Sequence, residues 1–356
     1  MGYYPFGSKL FTDLLHYVRS GDFIVNLLHE SQDLNEYAFA LGALAHYAAD
    51  NDGHRMATNL SVPMLYPKLR AKFGNQVTYA DDSLSHIKTE FGYDVIQVAQ
   101  GHYAPDAYHQ FIGFNVAQPA LDRAFRDTYA LGLGDVFPSV SLSIGSYRHS
   151  VSSLIPAMTK VAWQMKKDDI VKGSPGITKR KFLYNLSRAS YQKNWGAEYQ
   201  KPGFGSRLLA FFFEIVPHVG PFRALQFKAP TPEVEKLFMA SFNATLDRYK
   251  ELLREVQEDR LSLPNENFDV GSPLQPGSYR LGDQAYAELL DKLHGHYADT
   301  PPELRGAILS FYRDLNAPIS TKTNPKEWAK VIQEIDELKA ADSPTPAVSS
   351  IKPSGL

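Results

Sequence analysis

Histidine is concentrated near the start of the chain, where seven of the eleven histidines lie within the first 109 of 356 residues. His46, Asp50 and His54 follow one another at intervals of four residues. Residues four apart lie on one face of a helix, so His46 and Asp50 could bind one cation together. Gly53 directly precedes His54, which predicts that the helix ends there and that His54 turns towards a second, adjacent cation.

Two further positions extend this set. His86 and Glu90 repeat the four-residue spacing, and His16 lies midway along the first helical stretch. The chain thus offers six nitrogen and oxygen ligands: His16, His46, Asp50, His54, His86 and Glu90. That number is enough for two closely spaced zinc ions with positions left open for water, an arrangement that activates water and binds a phosphoryl group. The alternative is a set of histidines satisfied by hydrogen bonds in a core rich in tyrosine and phenylalanine.

Composition limits the other kinds of site. The chain has no cysteine, so disulfides are excluded and any metal must be bound by His, Asp and Glu. A formal net charge of −2 argues against a general or sequence-specific nucleic-acid binder, which would be strongly basic. There is no glycine-rich phosphate loop, no Gly-x-Ser-x-Gly turn and no His-Glu-x-x-His helix. No signal peptide precedes the first helix and no apolar run reaches the length of a transmembrane segment.

The elements that must position these residues are helical. Apolar residues recur at spacings of three and four along most of the chain, which predicts an all-α fold. The predicted helices cover residues 10–28 with a break at Ser20-Gly21, and then 36–50, 82–100, 117–129, 151–165, 179–190, 234–258, 283–294, 302–315 and 326–340. Strand-like alternation is sparse, and its best case is the short stretch 136–144.

Composition also suggests a domain organisation. Residues 1–260 are predicted to form one helical domain with a metal cluster between its helices. Residues 261–279 are rich in Pro, Asn, Gly and Ser and lack periodicity, which predicts a linker or long surface loop. Residues 261–340 would then comprise this linker and a small helical extension, followed by a disordered tail over 341–356.

The ligand pattern resembles that of the zinc-dependent phospholipase C family. The features in common are a helix reading His46-Tyr-x-x-Asp50, a histidine soon after it, a separate helix with His-x-x-x-Glu, and one histidine on a helix before all of these. The related fungal zinc-dependent single-strand nucleases share this plan, and the resemblance spans residues 10–100. It implies that a first zinc is bound by His16, His46 and Asp50, and a second by His54, His86 and Glu90.

Three features depart from the family pattern. The family usually has its histidine six residues after the aspartate, with a proline between them, whereas Asp50 and His54 are four residues apart and have no proline between them. It supplies a further Asp to the first zinc from before the position of His16; Asp13 could substitute, although an Asp there is more often a solvated helix residue. Its third metal uses the mature N-terminus and another early histidine. These differences predict that the chain begins inside a longer protein, whose missing part would hold a secretion signal; the localisation is left open.

The resemblance implies a zinc-dependent hydrolase of phosphodiester bonds with two to three zinc ions, most simply a phospholipase C acting on phospholipids. A nuclease or nucleotidase of the same zinc architecture is the alternative, with bases stacking on Tyr17, Tyr47, Tyr103 or Tyr108. A third hypothesis is that the chain is an inactive helical metal-binding protein. The apolar stretch 208–222 and the six basic residues within 166–181 could make a peripheral membrane contact, although a buried helix and a solvated loop are the ordinary interpretations.

Overall fold

The computed structural model describes residues 6–100, 102, 116–149, 155–185 and 226–341. Helices account for most of these residues and are numbered in chain order. They are α1 (Lys9–Tyr17), α2 (Ser20–His29), α3 (Leu34–Gly53), α4 (Asn59–Leu65), α5 (Pro67–Phe73), α6 (Ser83–Gln100), α7 (Gln118–Tyr129), α8 (Leu133–Val136), α9 (Val140–His149), α10 (Ile155–Gly173), α11 (Lys179–Asn185), α12 (Pro232–Gln257), α13 (Arg280–Lys292), α14 (Pro302–Phe311) and α15 (Pro325–Ala340).

The all-α prediction is confirmed. Over the described residues, strand structure is limited to β1 (Glu266–Asn267) and β2 (Ser272–Pro273), which pair antiparallel. The strand-like stretch 136–144 is helical instead, since α8 ends at Val136 and α9 begins at Val140. Ser139 explains the difference, because its side chain accepts a hydrogen bond from the Leu142 amide and so caps the start of α9. The short alternation of apolar and polar residues therefore does not produce a strand where a capped helix can form.

The break between the first two helices falls one to two residues earlier than the predicted Ser20-Gly21. Arg19 adopts the left-handed conformation with φ of 51°, and Ser20 already begins α2. Gly21 is required for another reason. A Cβ at this position would lie 2.5 Å from the carbonyl oxygens of both Leu263 and Pro264, so only glycine allows the later segment to pack against α2.

The prediction that the helix ends after Gly53 is wrong. Gly53 has helical backbone angles (φ −62°, ψ −50°), and the chain continues through a π-helical turn, His54–Thr58, directly into α4. A π-helical turn holds one more residue than an α-helical turn and is found mostly at functional sites. The turn therefore changes which face of the helix the following side chains lie on, and it does so at His54, the last predicted ligand of this helix.

One large hydrophobic core joins the two ends of the described chain. Helix α3 packs against α12 and α2, α1 packs against α13, and α2 packs against α7. Buried residues of α1, α2, α3 and α7 belong to the same core cluster as those of α13, α14 and α15. A smaller cluster is shared by α6, α10 and α11.

The segment 261–279 is not the exposed linker or surface loop that its composition predicts. Leu263, Phe268 and Tyr279 are buried in the main core, and β1 pairs with β2 in a small hairpin, residues 266–273. Gly271 lies in this hairpin at φ of 63° and approaches the Asn51 carbonyl oxygen too closely for a Cβ. Tertiary packing overrides the polar composition because the segment lies directly against α2 and α3. The domain boundary at residue 260 stays a prediction.

Some expectations concern residues that the structure does not describe. The tail from 342 onwards, the apolar stretch 208–222, Tyr103 and Tyr108 all lie outside the described ranges. Among the helices of those ranges, none has the length and apolar character needed to cross a bilayer.

Candidate metal centre

The six predicted ligands lie together in two groups. The first ligand group consists of His16 on α1 with His46 and Asp50 on α3. In it, Asp50 Oδ2 lies 3.3 Å from His16 Nε2 and 3.1 Å from His46 Nε2. Two helices thus aim three ligand atoms at one point, as the four-residue spacing on α3 predicts.

The second ligand group consists of His54 in the π-helical turn with His86 and Glu90 on α6. Glu90 Oε1 lies 3.2 Å from His54 Nε2 and 3.1 Å from His86 Nδ1. His54 follows His46 by eight residues, and at 100° per residue this rotates its side chain by about 80° around the α3 axis. The rotation explains why His46 and His54, although on one continuous helix, belong to neighbouring groups.

The separations within each group suit zinc. Zinc lies about 2.0–2.1 Å from nitrogen and oxygen ligands in tetrahedral geometry, which places two such ligands about 3.3 Å apart. The four distances above, from 3.1 to 3.3 Å, agree with that value. Each group provides three protein ligands, which leaves a fourth position free for water or substrate.

Three of the histidines make hydrogen bonds on the side of the ring that faces away from their ligand group. These bonds indicate which ring nitrogen is available to bind a metal ion. His16 Nδ1 contacts the Thr12 carbonyl oxygen at 2.7 Å, and His54 Nδ1 contacts the Phe268 carbonyl oxygen at 3.1 Å. His86 Nε2 lies 3.0 Å from Asn59 Oδ1. A carbonyl oxygen can only accept, so each of these ring nitrogens carries the proton and the opposite nitrogen presents a lone pair to its group.

This arrangement provides a test of whether a cation fits. His86 Nδ1 is fully buried and makes no hydrogen bond, although it lies beside the Glu90 carboxylate. When the imidazoles are neutral, with their protons on the outer nitrogens, two ring lone pairs and a carboxylate oxygen converge on one point, which a bound cation would stabilise. The residues present therefore fit a bound zinc ion in each group.

The acidity of the carboxylates reflects the same electrostatics. Burial would raise the pKa of Asp50, but His46 and His16 outweigh it and hold that pKa well below the usual 3.8. Burial also opposes ionisation of Glu90, yet His86 and His54 lower its pKa to about 2. Both carboxylates are therefore ionised, and available as ligands, over the whole physiological pH range.

The ligands within each group differ in their exposure to solvent. His86 is fully buried, whereas the His46 side chain is 63% exposed and that of Glu90 is 38% exposed. His54 and Asp50 are mostly covered. Each group therefore has a buried side that fixes its ligands and an open side that a substrate could reach.

Asp269 is the residue of this centre that sequence reasoning missed. It follows Phe268 in the 266–273 hairpin and is 3% exposed. Its Oδ1 lies 3.3 Å from His54 Nδ1, and its Oδ2 accepts hydrogen bonds from the hydroxyls of Tyr17 and Tyr279. The only available signal was an Asp in a segment interpreted as a linker, and spacing along the chain could not connect it to His54.

Other candidates have different roles. Asp13 is buried rather than solvated, and it pairs with Lys9 instead of joining the first ligand group. Tyr17 and Tyr47 are also buried, with hydroxyls bonded to Asp269 and to the Pro264 carbonyl oxygen. Neither tyrosine offers a ring face for stacking on a base.

Comparison with known proteins gives one match. No curated protein and no solved structure matches the chain significantly. The matched segment, residues 1–138, contains all six ligands of the two groups and excludes the 266–273 hairpin. Residues 1–138 match the model of the zinc dependent phospholipase C family.

Proposed function

We propose that this protein is a zinc-dependent hydrolase of phosphodiester bonds, of the phospholipase C type. The observation that carries the proposal is the pair of ligand groups, in each of which three ligand atoms lie within 4.8 Å of one another. The family match over residues 1–138 supports the same chemistry, because the matched segment contributes every ligand. Phospholipid is the proposed substrate class.

The chain's own residues bind and orient the reacting groups. When bound, zinc acidifies a water molecule and neutralises charge that develops on a phosphoryl group. His16 and His54 are held by the helical backbone and by hydrogen bonds to main-chain carbonyl oxygens, so their ligand atoms are in place before substrate arrives. The His46 and Glu90 side chains are 63% and 38% exposed, so each group has one ligand that a phosphodiester in solvent could reach.

The test combines metal analysis with hydrolysis. We expect purified protein loaded with zinc and dialysed to retain at least two zinc ions per chain and to hydrolyse a short-chain phosphatidylcholine. His86→Ala is expected to remove one zinc ion and reduce hydrolysis at least a hundredfold. His294→Ala is the matched control, because His294 is exposed just beyond the end of α13 and contacts Glu337 and Tyr297 instead of either ligand group.

The outcomes separate the alternatives. Hydrolysis of single-stranded oligonucleotides but not of phosphatidylcholine would favour the nuclease reading. Stoichiometric zinc without turnover of either substrate would favour an inactive metal-binding protein. Protein that retains no zinc, with His86→Ala behaving like the unchanged chain, would refute the proposal.

Contact with a lipid surface is a second part of the proposal. Five basic side chains are exposed around the end of α10 and the start of α11: Lys167, Lys172, Lys179, Arg180 and Lys181. Each basic residue near an anionic bilayer contributes about 1 kcal/mol of attraction. Co-sedimentation with phosphatidylserine vesicles should fall when Lys179 and Lys181 are replaced by glutamine; unchanged sedimentation would contradict this part.

A further inference from the structure

We propose that Asp269, on the 266–273 hairpin, is a positioning residue that fixes His54 for metal binding and links the hairpin to the second ligand group. The inference rests on the proposed zinc site. It adds a functional role for a segment that lies outside the matched residues 1–138. The geometry that supports it lies on the side of the histidines that faces away from the zinc position.

The contacts of His54 define the role of Asp269. Glu90 faces Nε2 of the His54 ring at 3.2 Å, whereas Nδ1 on the opposite side faces both Asp269 Oδ1 at 3.3 Å and the Phe268 carbonyl oxygen at 3.1 Å. Asp269 therefore lies opposite the zinc position and is not itself a ligand of the second group. A carboxylate that accepts the outer N–H of a metal-binding imidazole fixes its orientation and tautomer and increases the basicity of the ligand nitrogen.

Asp269 is itself held in place. Its Oδ2 accepts from the Tyr17 hydroxyl at 2.8 Å and from the Tyr279 hydroxyl, and its amide donates to Asn267 Oδ1 at 2.9 Å. The two tyrosine hydroxyls stabilise the ionised carboxylate of Asp269 inside the core. Since Tyr17 is on α1, the network also connects the hairpin to the helix that carries His16.

A second connection reaches His86. Asn59 Nδ2 donates to the Asp269 carbonyl oxygen, which leaves Asn59 Oδ1 to accept from His86 Nε2. The side-chain amide of Asn59 therefore links the hairpin backbone to His86, the second histidine of the group. Phe268 adds a main-chain contact, because its amide donates to the His16 carbonyl oxygen at 3.1 Å. The hairpin consequently contacts the outer side of His54 directly and of His86 through one residue.

A purely structural role predicts a different result from a positioning role. If the Asp269 network only stabilises the fold, its loss should lower thermal stability and weaken both zinc sites by the same factor. If it positions His54, its loss should weaken the second site selectively. Changes to groups that orient metal ligands typically reduce affinity by about 10–100-fold.

The experiment measures zinc affinity by competition with a chromogenic chelator in two backgrounds. His46→Ala leaves the second group to be titrated, and His86→Ala leaves the first. We expect Asp269→Asn to weaken zinc about 10–100-fold in the first background and less than about twofold in the second. Ser272→Ala, an exposed residue of the same hairpin, is the matched control and should change neither.

Two results would overturn the inference: equal affinities with and without the substitution, or an equal loss in both backgrounds. A second measurement applies even where the variant does not fold. In the zinc-loaded unchanged protein, long-range proton–nitrogen correlations should show the proton of His54 on Nδ1, and a proton on Nε2 would refute the inference. Protein that binds no zinc in any background would contradict the proposed function, whereas zinc binding insensitive to Asp269 would contradict this inference alone.

Discussion

Asn59 connects two buried hydrogen bonds, so its replacement by alanine is the most informative test of how the second ligand group is held. His86 Nε2 donates to its amide oxygen, and its amide nitrogen donates to the Asp269 carbonyl oxygen. Asn59 and His86 are both fully buried. Alanine would therefore leave one donor and one acceptor inside the core without partners.

The magnitude follows from those two lost partners. Each unsatisfied buried group costs about 1–3 kcal/mol, and the space left by the amide could admit a water that partly replaces it, so we expect a loss of about 2–4 kcal/mol in the free energy of unfolding. Zinc affinity of the second group should fall about 10–100-fold, because the orientation of His86 is no longer fixed. That reduction corresponds to about 1.4–2.7 kcal/mol of binding free energy.

The assay separates the two effects. Urea unfolding with a chelator present measures the stability of the metal-free chain, and competition with a chromogenic chelator measures zinc binding. Asn75→Ala is the matched control, because Asn75 is exposed and its amide oxygen accepts a hydrogen bond from the Arg70 side chain at the surface. Surface substitutions of this kind usually change stability by less than about 0.5 kcal/mol.

The reasoning is refuted if Asn59→Ala unfolds within about 0.5 kcal/mol of the unchanged chain and binds zinc equally well. That result would mean that the buried polar groups find other partners and that Asn59 does not position His86. A loss of stability with unchanged zinc affinity would refute the positioning role alone.

Three further predictions concern the fold and its metal. Burial raises the pKa of Glu334 from an ordinary 4.5 to about 7, and neither of its carboxylate oxygens makes a hydrogen bond. The fold therefore favours the protonated form, so this contribution to stability is complete below pH 4.5 and is lost as pH rises through 7. Glu334→Gln should raise the unfolding free energy by up to about 3 kcal/mol at pH 8 and leave it unchanged at pH 4; equal effects at both would contradict this. Gly21→Ala should destabilise the chain by about 1–3 kcal/mol in urea because it displaces the segment beyond residue 261. At Gly42 an added Cβ would contact no other atom, so Gly42→Ala should instead stabilise α3 by about 0.5–1 kcal/mol. If both substitutions changed the free energy of unfolding in the same direction, the close approach at Gly21 would be unimportant. Zinc at a hundred times its dissociation constant should stabilise the chain by about 2.7 kcal/mol per site against unfolding, and a melting temperature insensitive to zinc and chelator would argue against both groups.

The sequence predicted those parts of the site that depend on local geometry. His46 with Asp50, and His86 with Glu90, are four residues apart, and helical periodicity alone places each pair on one face. The all-α fold follows from the same periodicity. The structure brings the six residues together in the two groups that the resemblance implied, and zinc binding by those groups remains the proposal to be tested.

The remaining features depend on tertiary contacts that periodicity does not contain. Gly53 is a common helix-ending residue, yet the chain stays helical there and continues into the π-helical turn that holds His54, against which α12 packs. The hairpin has the composition of a loop, but 252 residues separate Tyr17 from Asp269 in the hydrogen bond that joins them. A pattern within a short window cannot report such a contact, which is why Asp269 was not found.

Because the hairpin lies late in the sequence, the ribosome synthesises it well after the six ligands of the metal centre. Glu90, the last of the six ligands, leaves the ribosome about 180 residues before the hairpin is complete, which at 5–20 residues per second is roughly 10–35 s. During that interval the nascent chain holds every ligand but lacks Asp269 and the carbonyl oxygen of Phe268. Because these two groups contact the outer side of His54, zinc bound during that interval would be held about 10–100-fold more weakly than after the hairpin has packed.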